Sequence, residues 1–208
     1  SQSNKGRRFP AAISFAAGRM AFYSYMKVLE IKKGDEVIIQ ASNCSVMVNA
    51  ILRIGATPVF ADIDINTLGT DPKSVRNLIT ANTKLIVAQH SFGIPCEIDA
   101  IMNIAKVHNV KVLEDCALTL GSKYRDVLLG NWGDAALFSI DHSKPLNCII
   151  GGLLYLNNDQ QYQQIKKLRD AMPNLSKKHQ LALFKQFIFE RKYYIPNKYS
   201  VGKVVELS

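Results

Sequence analysis

A single lysine stands out at the exit of an apolar run, in Phe138-Ser139-Ile140-Asp141-His142-Ser143-Lys144-Pro145. An amine placed there can form an imine with an aldehyde once burial or neighbouring cations lower its pKa toward neutrality; a solvated surface lysine is the plain alternative. A second run, Val112-Leu113-Glu114-Asp115, ends in two carboxylates. Asp115 at such a terminus can hold a protonated pyridine-type nitrogen, or it can simply cap the segment that follows. A third feature is the small-residue turn Ala16-Ala17-Gly18-Arg19-Met20 in front of a helical pattern. Backbone N–H groups at a helix start approach an anion closely, and Arg19 adds a bidentate donor for phosphate. An ordinary N-terminal turn explains the same residues. Gly151-Gly152 admits a sharp turn or a close backbone approach.

These residues need a frame that brings them together. Short β-branched runs at 36–39, 57–60, 85–88, 111–113, 135–138 and 153–156 alternate with helical spacing at 19–29, 46–54, 72–79, 98–108 and from 159 onward. That alternation predicts an α/β fold, a three-layer α/β/α arrangement around a mostly parallel, mixed central sheet. Gly55 and Asn109 stand where helix C-caps belong, and Asp71-Pro72 reads as an N-cap with proline in the first turn. Chemistry is expected at the strand ends, where open α/β sheets bind ligands.

Composition bounds the rest. A chain of 208 residues, 48% apolar and 21% charged, is that of a globular protein with one large domain. The longest central apolar stretch, 148–155, contains two glycines and falls far short of the ~20 residues of a membrane span. The basic N-terminus lacks the apolar segment of a signal peptide, so a cytoplasmic protein is expected. Cys44, Cys96, Cys116 and Cys148 form no C-x-x-C pair, which predicts reduced, mostly buried thiols and no metal site. The net charge of +9 is concentrated late: from Gln161 onward ten basic residues face three acidic ones. Charge alone raises a nucleic-acid contact, yet no recognition motif accompanies it, and none is expected.

The order of the motifs carries further meaning. Lys33-Gly34-Asp35-Glu36-Val37-Ile38 precedes Asn49-Ala50-Ile51-Leu52-Arg53-Ile54-Gly55-Ala56-Thr57-Pro58-Val59-Phe60-Ala61-Asp62-Ile63-Asp64. Then come Thr83-Lys84-Leu85-Ile86-Val87, His90, Gly93-Ile94-Pro95, Glu114-Asp115, Gly133-Asp134-Ala135 and Phe138-Ser139. In this succession residues 15–169 resemble the DegT/DnrJ/EryC1/StrS aminotransferases, pyridoxal-phosphate (PLP) enzymes of fold type I that mostly act on nucleotide-linked keto-sugars.

The resemblance implies a PLP-dependent aminotransferase in which Lys144 forms the internal aldimine, Asp115 pairs with the pyridine nitrogen and Ser139 helps hold the phosphate. Gly18 and Arg19, with Met20 completing the turn, fall on the family's phosphate turn. Cys44 falls where an aromatic ring commonly covers the cofactor, and Leu118 where Gln or His is common. The stretch from Pro145 to Ile150 lacks the polar residues usual in sugar-acting members. The resemblance also implies an amino donor such as glutamate, a keto-sugar acceptor and a homodimer. It divides the chain into an N-terminal arm (1–14), a PLP-binding large domain (15–175) and a basic helical segment (176–208) opening a small domain that is largely missing. The competing expectation is an inactive PLP-fold domain kept as an interaction module.

Overall fold

The computed structural model describes residues 12–193, and it divides at Asp170 into two units. In chain order the first unit contains β1 (Ile13–Phe15), α1 (Gly18–Val28), β2 (Glu36–Gln40), α2 (Ser45–Ile54) and β3 (Thr57–Ala61). It continues through α3 (Pro72–Leu78), β4 (Thr83–Gln89), α4 (Ile98–His108), β5 (Lys111–Asp115) and the short strands β6 (Lys123–Tyr124) and β7 (Val127–Leu128). It closes with β8 (Ala135–Ser139), β9 (Gly152–Leu156) and α5 (Asp159–Asp170). The second unit holds α6 (Lys177–Tyr193).

Seven strands form one sheet in the order β1-β9-β8-β5-β4-β2-β3. The pairings from β3 through β8 are all parallel, and β9 runs antiparallel to both β8 and β1. Helices α1, α2 and α5 cover one face and α3 and α4 the other, so the expected mixed, mostly parallel α/β sheet is present. The α4 side is packed by Ile38, Ile86, Ala88 and Val112 from the strands against Ile98, Ile101 and Ile104, all buried. Each of the buried Ile and Val side chains contributes roughly 1.5–3 kcal/mol of apolar burial, which makes the strands rigid supports for whatever their ends carry.

Local signals act as anticipated. Gly55 and Asn109 end α2 and α4 in the left-handed region, at φ of 90° and 53°, and the Asp71 side chain caps α3 by accepting from the Lys73 N–H. Two features had no clear precursor in the sequence: strand β1 and the β6–β7 hairpin. The cysteine expectation needs correction, because only Cys96 and Cys116 are buried; Cys44, between β2 and α2, and Cys148, in the loop between β8 and β9, are exposed. In the second unit, α6 is helical as expected, but none of its residues is buried, and Leu181, Phe184 and Ile188 are exposed. Residues 1–11 and 194–208, including most of the expected arm and the end of the basic tail, lie outside the described residues. Among the described residues, no helix is long and apolar enough to cross a membrane.

Candidate active site

The carboxyl ends of β4, β5 and β8 meet at one rim. Gln89 of β4 is the register partner of Asp115 of β5, and Asp115 is the partner of Leu137 of β8. Register partners in parallel strands project to the same face, so these three side chains, and Ser139 two residues beyond Leu137, share the α1 side of the sheet.

The α1 helix starts at this rim. Ala17, its N-cap, has no side chain able to cap, and its backbone bridges to Gly151. Gly152 lets this happen: a β-carbon there would stand 2.5 Å from the Gly18 nitrogen. Gly151 adopts φ of +146°, a conformation that side-chain-bearing residues rarely tolerate. The glycine pair thus serves both purposes read from the sequence, a sharp turn and a close approach.

Between these elements runs a cleft with two adjoining lobes. One, of about 250 Å³, is bounded by Ala17, Gly18 and Arg19 on the helix side and by Ser139, Ser143 and Leu137 opposite. The other, of about 320 Å³, is bounded by Asn43, Gln89, Ser91, Phe92 and Leu118. Cys44, Asp115, Ala117 and Lys144 line both. Of the residues singled out by sequence, Lys144, Asp115, Gly18, Arg19, Ser139 and Cys44 are brought together. Met20 is not among the lining residues, and its N–H is taken by the Ala17 carbonyl at 3.1 Å.

Asp115 is held in a way that leaves it half free. One carboxylate oxygen accepts from the Ala117 N–H at 3.0 Å, the turn-capping role anticipated as its alternative. The other oxygen has no hydrogen-bond donor among the described residues. Burial pushes the Asp115 carboxyl above the ordinary aspartate range, while the Ala117 N–H, the His90 ring and the Lys144 ammonium pull it down. Lys144 is carried on a loop bonded to itself, with Cys148 N–H donating to Ile140, His142 N–H to Ile149 and Ile140 N–H to Gly151.

Behind the rim lies a buried pair whose function the sequence did not disclose. Glu114 accepts from the N–H groups of Gly130, Trp132 and Gly133 at 2.7–2.8 Å and faces His90 Nε2 at 3.3 Å. His90 Nδ1 accepts from the Cys96 N–H, so the ring proton sits on Nε2 and is donated to Glu114. His90, Glu114 and Cys116 are close enough to suggest a metal site, but the four partners of Glu114 occupy the lone-pair positions of a carboxylate. The cluster reads as scaffolding for the loops on either side of Asp115. Gln89 also escaped notice in the sequence, since its partners Ser42 and Asn43 lie some 46 residues away.

A doubly wound sheet with an amine and a carboxylate sharing its carboxyl rim, beside an uncapped helix start, places the chain in the class of open α/β folds whose ligand crevices lie at that rim. The model of the DegT/DnrJ/EryC1/StrS aminotransferase family matches residues 7–183, and the chain belongs to that family. It is 35% identical over 153 residues to GDP-perosamine synthase of Escherichia coli O157:H7, covering 74% of this chain and 42% of the relative. It is 37% identical over 157 residues to the spore coat polysaccharide biosynthesis protein SpsC of Bacillus subtilis, covering 76% of this chain and 40% of that one. Among solved structures, an aminotransferase from Psychrobacter cryohalolentis superposes with a TM-score of 0.73 at 33% identity, over 76% of this chain and 40% of that one. NtdA of Bacillus subtilis, solved with bound cofactor PMP, gives a TM-score of 0.70 at 28% identity, over 76% and 35% of the two chains. The chain thus spans about two fifths of the length of the curated relatives it matches.

Proposed function

We propose that this cleft binds pyridoxal 5'-phosphate and serves amino transfer to a carbonyl carbon of a nucleotide-linked keto-sugar, with an amino donor such as glutamate supplying the nitrogen. The observation that carries the reading is that Lys144 and Asp115 line the same cleft as the uncapped start of α1. The residues present fit that cofactor. Asp115 offers an unpartnered carboxylate oxygen where a protonated ring nitrogen needs an acceptor. Gly18, Arg19 and Ser139 offer donors for a phosphate, helped by the positive end of the helix dipole. Cys44 and Ala117 flank the space for a ring.

When bound, the cofactor supplies an electron-poor ring that stabilises negative charge on the carbon next to the transferred nitrogen. The chain's own residues do the rest. Asp115, whose carboxyl pKa burial raises, would be drawn to its ionised form by a protonated ring nitrogen and would in turn keep that nitrogen protonated. Arg19 and the N–H groups of the first turn of α1 would hold the phosphate end and so orient the bound group toward Lys144. Lys144 would supply the amine that condenses with the cofactor aldehyde, releasing water, and as a free amine would take and return the proton at the substrate carbon. Leu118 and Leu137 contribute apolar wall that limits water near the amine.

In this reading residues 15–175 form the cofactor-binding domain and 176–208 begin a separate helical segment. The protein acts in the cytoplasm as a homodimer. The test is to add PLP to the full chain, record the visible spectrum and reduce with borohydride before peptide mapping. A phosphopyridoxyl group fixed on Lys144, together with a higher melting temperature, supports the reading. Absence of the group, or its fixation on other lysines alone, sinks it.

A further inference from the structure

We infer that Gln89 is a positioning residue for the cofactor face of the cleft: it latches the loop that carries Cys44 to the end of β4. The inference rests on the proposed binding of PLP in this cleft. Preceding residues of β4 on the same side, Leu85 and Val87, are fully buried apolar groups. At the rim the strand ends instead in an amide, beside Asp115 in register.

That amide is fully engaged. Its Nε2 donates to the Ser42 carbonyl at 3.3 Å and to Ser91 Oγ at 3.2 Å, and its Oε1 accepts from Asn43 Nδ2 at 2.7 Å. Its backbone is held as well, the N–H donating to Thr70 Oγ1 at 2.9 Å and the carbonyl accepting from the Thr70 N–H at 3.2 Å. Thr70 is fully buried, so the latch is anchored in the core. Among the described residues, no other hydrogen bond ties Ser42 or Asn43 to the rest of the chain. Cys44 follows directly, as the N-cap of α2, and no side chain caps that helix. Cys44 is thus held between α2, which it caps, and the Ser42–Asn43 loop that Gln89 ties down, so Gln89 acts on it through the loop and not by touching the reacting atoms.

The experiment uses the full chain with Gln89→Leu and, separately, Asn43→Ala, which removes one bond of the latch without altering β4. Hydrogen exchange is measured without PLP, and PLP is then titrated by visible circular dichroism. We expect amides of residues 41–46 to exchange about tenfold faster, with β4 and β5 as in wild type, as the loss of one to three hydrogen bonds predicts. The dissociation constant for PLP rises about tenfold by the same arithmetic. At saturating PLP, borohydride still fixes the group on Lys144, but the circular dichroism per bound PLP falls. Unchanged exchange at 41–46 overturns the latch, and faster exchange with unaltered PLP affinity and dichroism overturns its positioning role. Wild-type protein that binds no PLP overturns the parent reading instead, and exchange alone then judges the latch.

Discussion

Gly152 lies against Gly18 so closely that a β-carbon on Gly152 would stand 2.5 Å from the Gly18 nitrogen and 2.6 Å from its α-carbon. Both neighbours are backbone, which cannot rotate away. Gly152→Ala is expected to cost about 1–3 kcal/mol by overpacking and to weaken PLP binding by pushing the start of α1 off the rim. Gly18→Ala is sterically different, since its β-carbon would meet only Leu137 at 3.8 Å. Its stability should stay within about 1 kcal/mol of wild type. Urea unfolding of both variants checks the contrast, and equal losses would contradict it.

Asp115 should make cofactor-free protein less stable as pH rises. Its carboxyl, raised mainly by burial, keeps its proton in the folded chain at pH values where the unfolded chain has released it. Folding stability is thus fully present below the ordinary aspartate pKa of about 3.9 and declines as pH climbs through the folded value. Asp115→Asn can still accept from the Ala117 N–H and carries no buried charge. It should be more stable than wild type at neutral pH and should converge with it toward about pH 4, while PLP binding is lost. A variant no more stable than wild type at neutral pH would count against the raised pKa.

Glu114 should be far less tolerant than Asp115. Glu114→Gln keeps the shape but turns an NH2 group toward backbone N–H donors that Glu114 now satisfies. A loss of about 3 kcal/mol is expected, from unpaired buried donors. Guanidinium unfolding measures it, and a loss under about 1 kcal/mol would contradict the anchoring role.

The four thiols should separate into two pairs. Burial pushes the Cys96 and Cys116 thiols well above their ordinary range, and both are enclosed, whereas Cys44 and Cys148 are exposed. Iodoacetamide on folded protein should modify Cys44 and Cys148, with all four reacting only after denaturation. PLP should slow reaction at Cys44. Mass spectrometry of the adducts decides this, and labelling of Cys96 or Cys116 at the rate of the exposed pair would refute the burial.

Elements held together by local rules were legible in the sequence, and those held together by distant partners were not. The caps at Gly55, Asn109 and Asp71 follow from backbone preferences of single residues, and the parallel strands from dense apolar runs. Strand β1 spans three residues and exists because Ile13 to Phe15 meet Gly152 to Leu154, which lie far along the chain from them. The β6–β7 hairpin turns on Arg125 and Asp126, both in the left-handed region, without the glycine that normally announces such a turn. In the site, Lys144, Asp115, Gly18, Arg19, Ser139 and Cys44 could be picked out because their order along the chain matched a known succession. Gln89 and Asn43 could not, because neither residue type nor spacing marks a contact across 46 positions.

The self-bonded loop around Lys144 has a mechanical consequence. Asp115 belongs to a sheet that yields only if several strands yield together, while Lys144 rides on a segment whose hydrogen bonds close within a dozen residues. A ligand gripped by both would be clamped at one end and sprung at the other. Small displacements of the amine could then be absorbed inside the loop, leaving the alignment of the strands undisturbed.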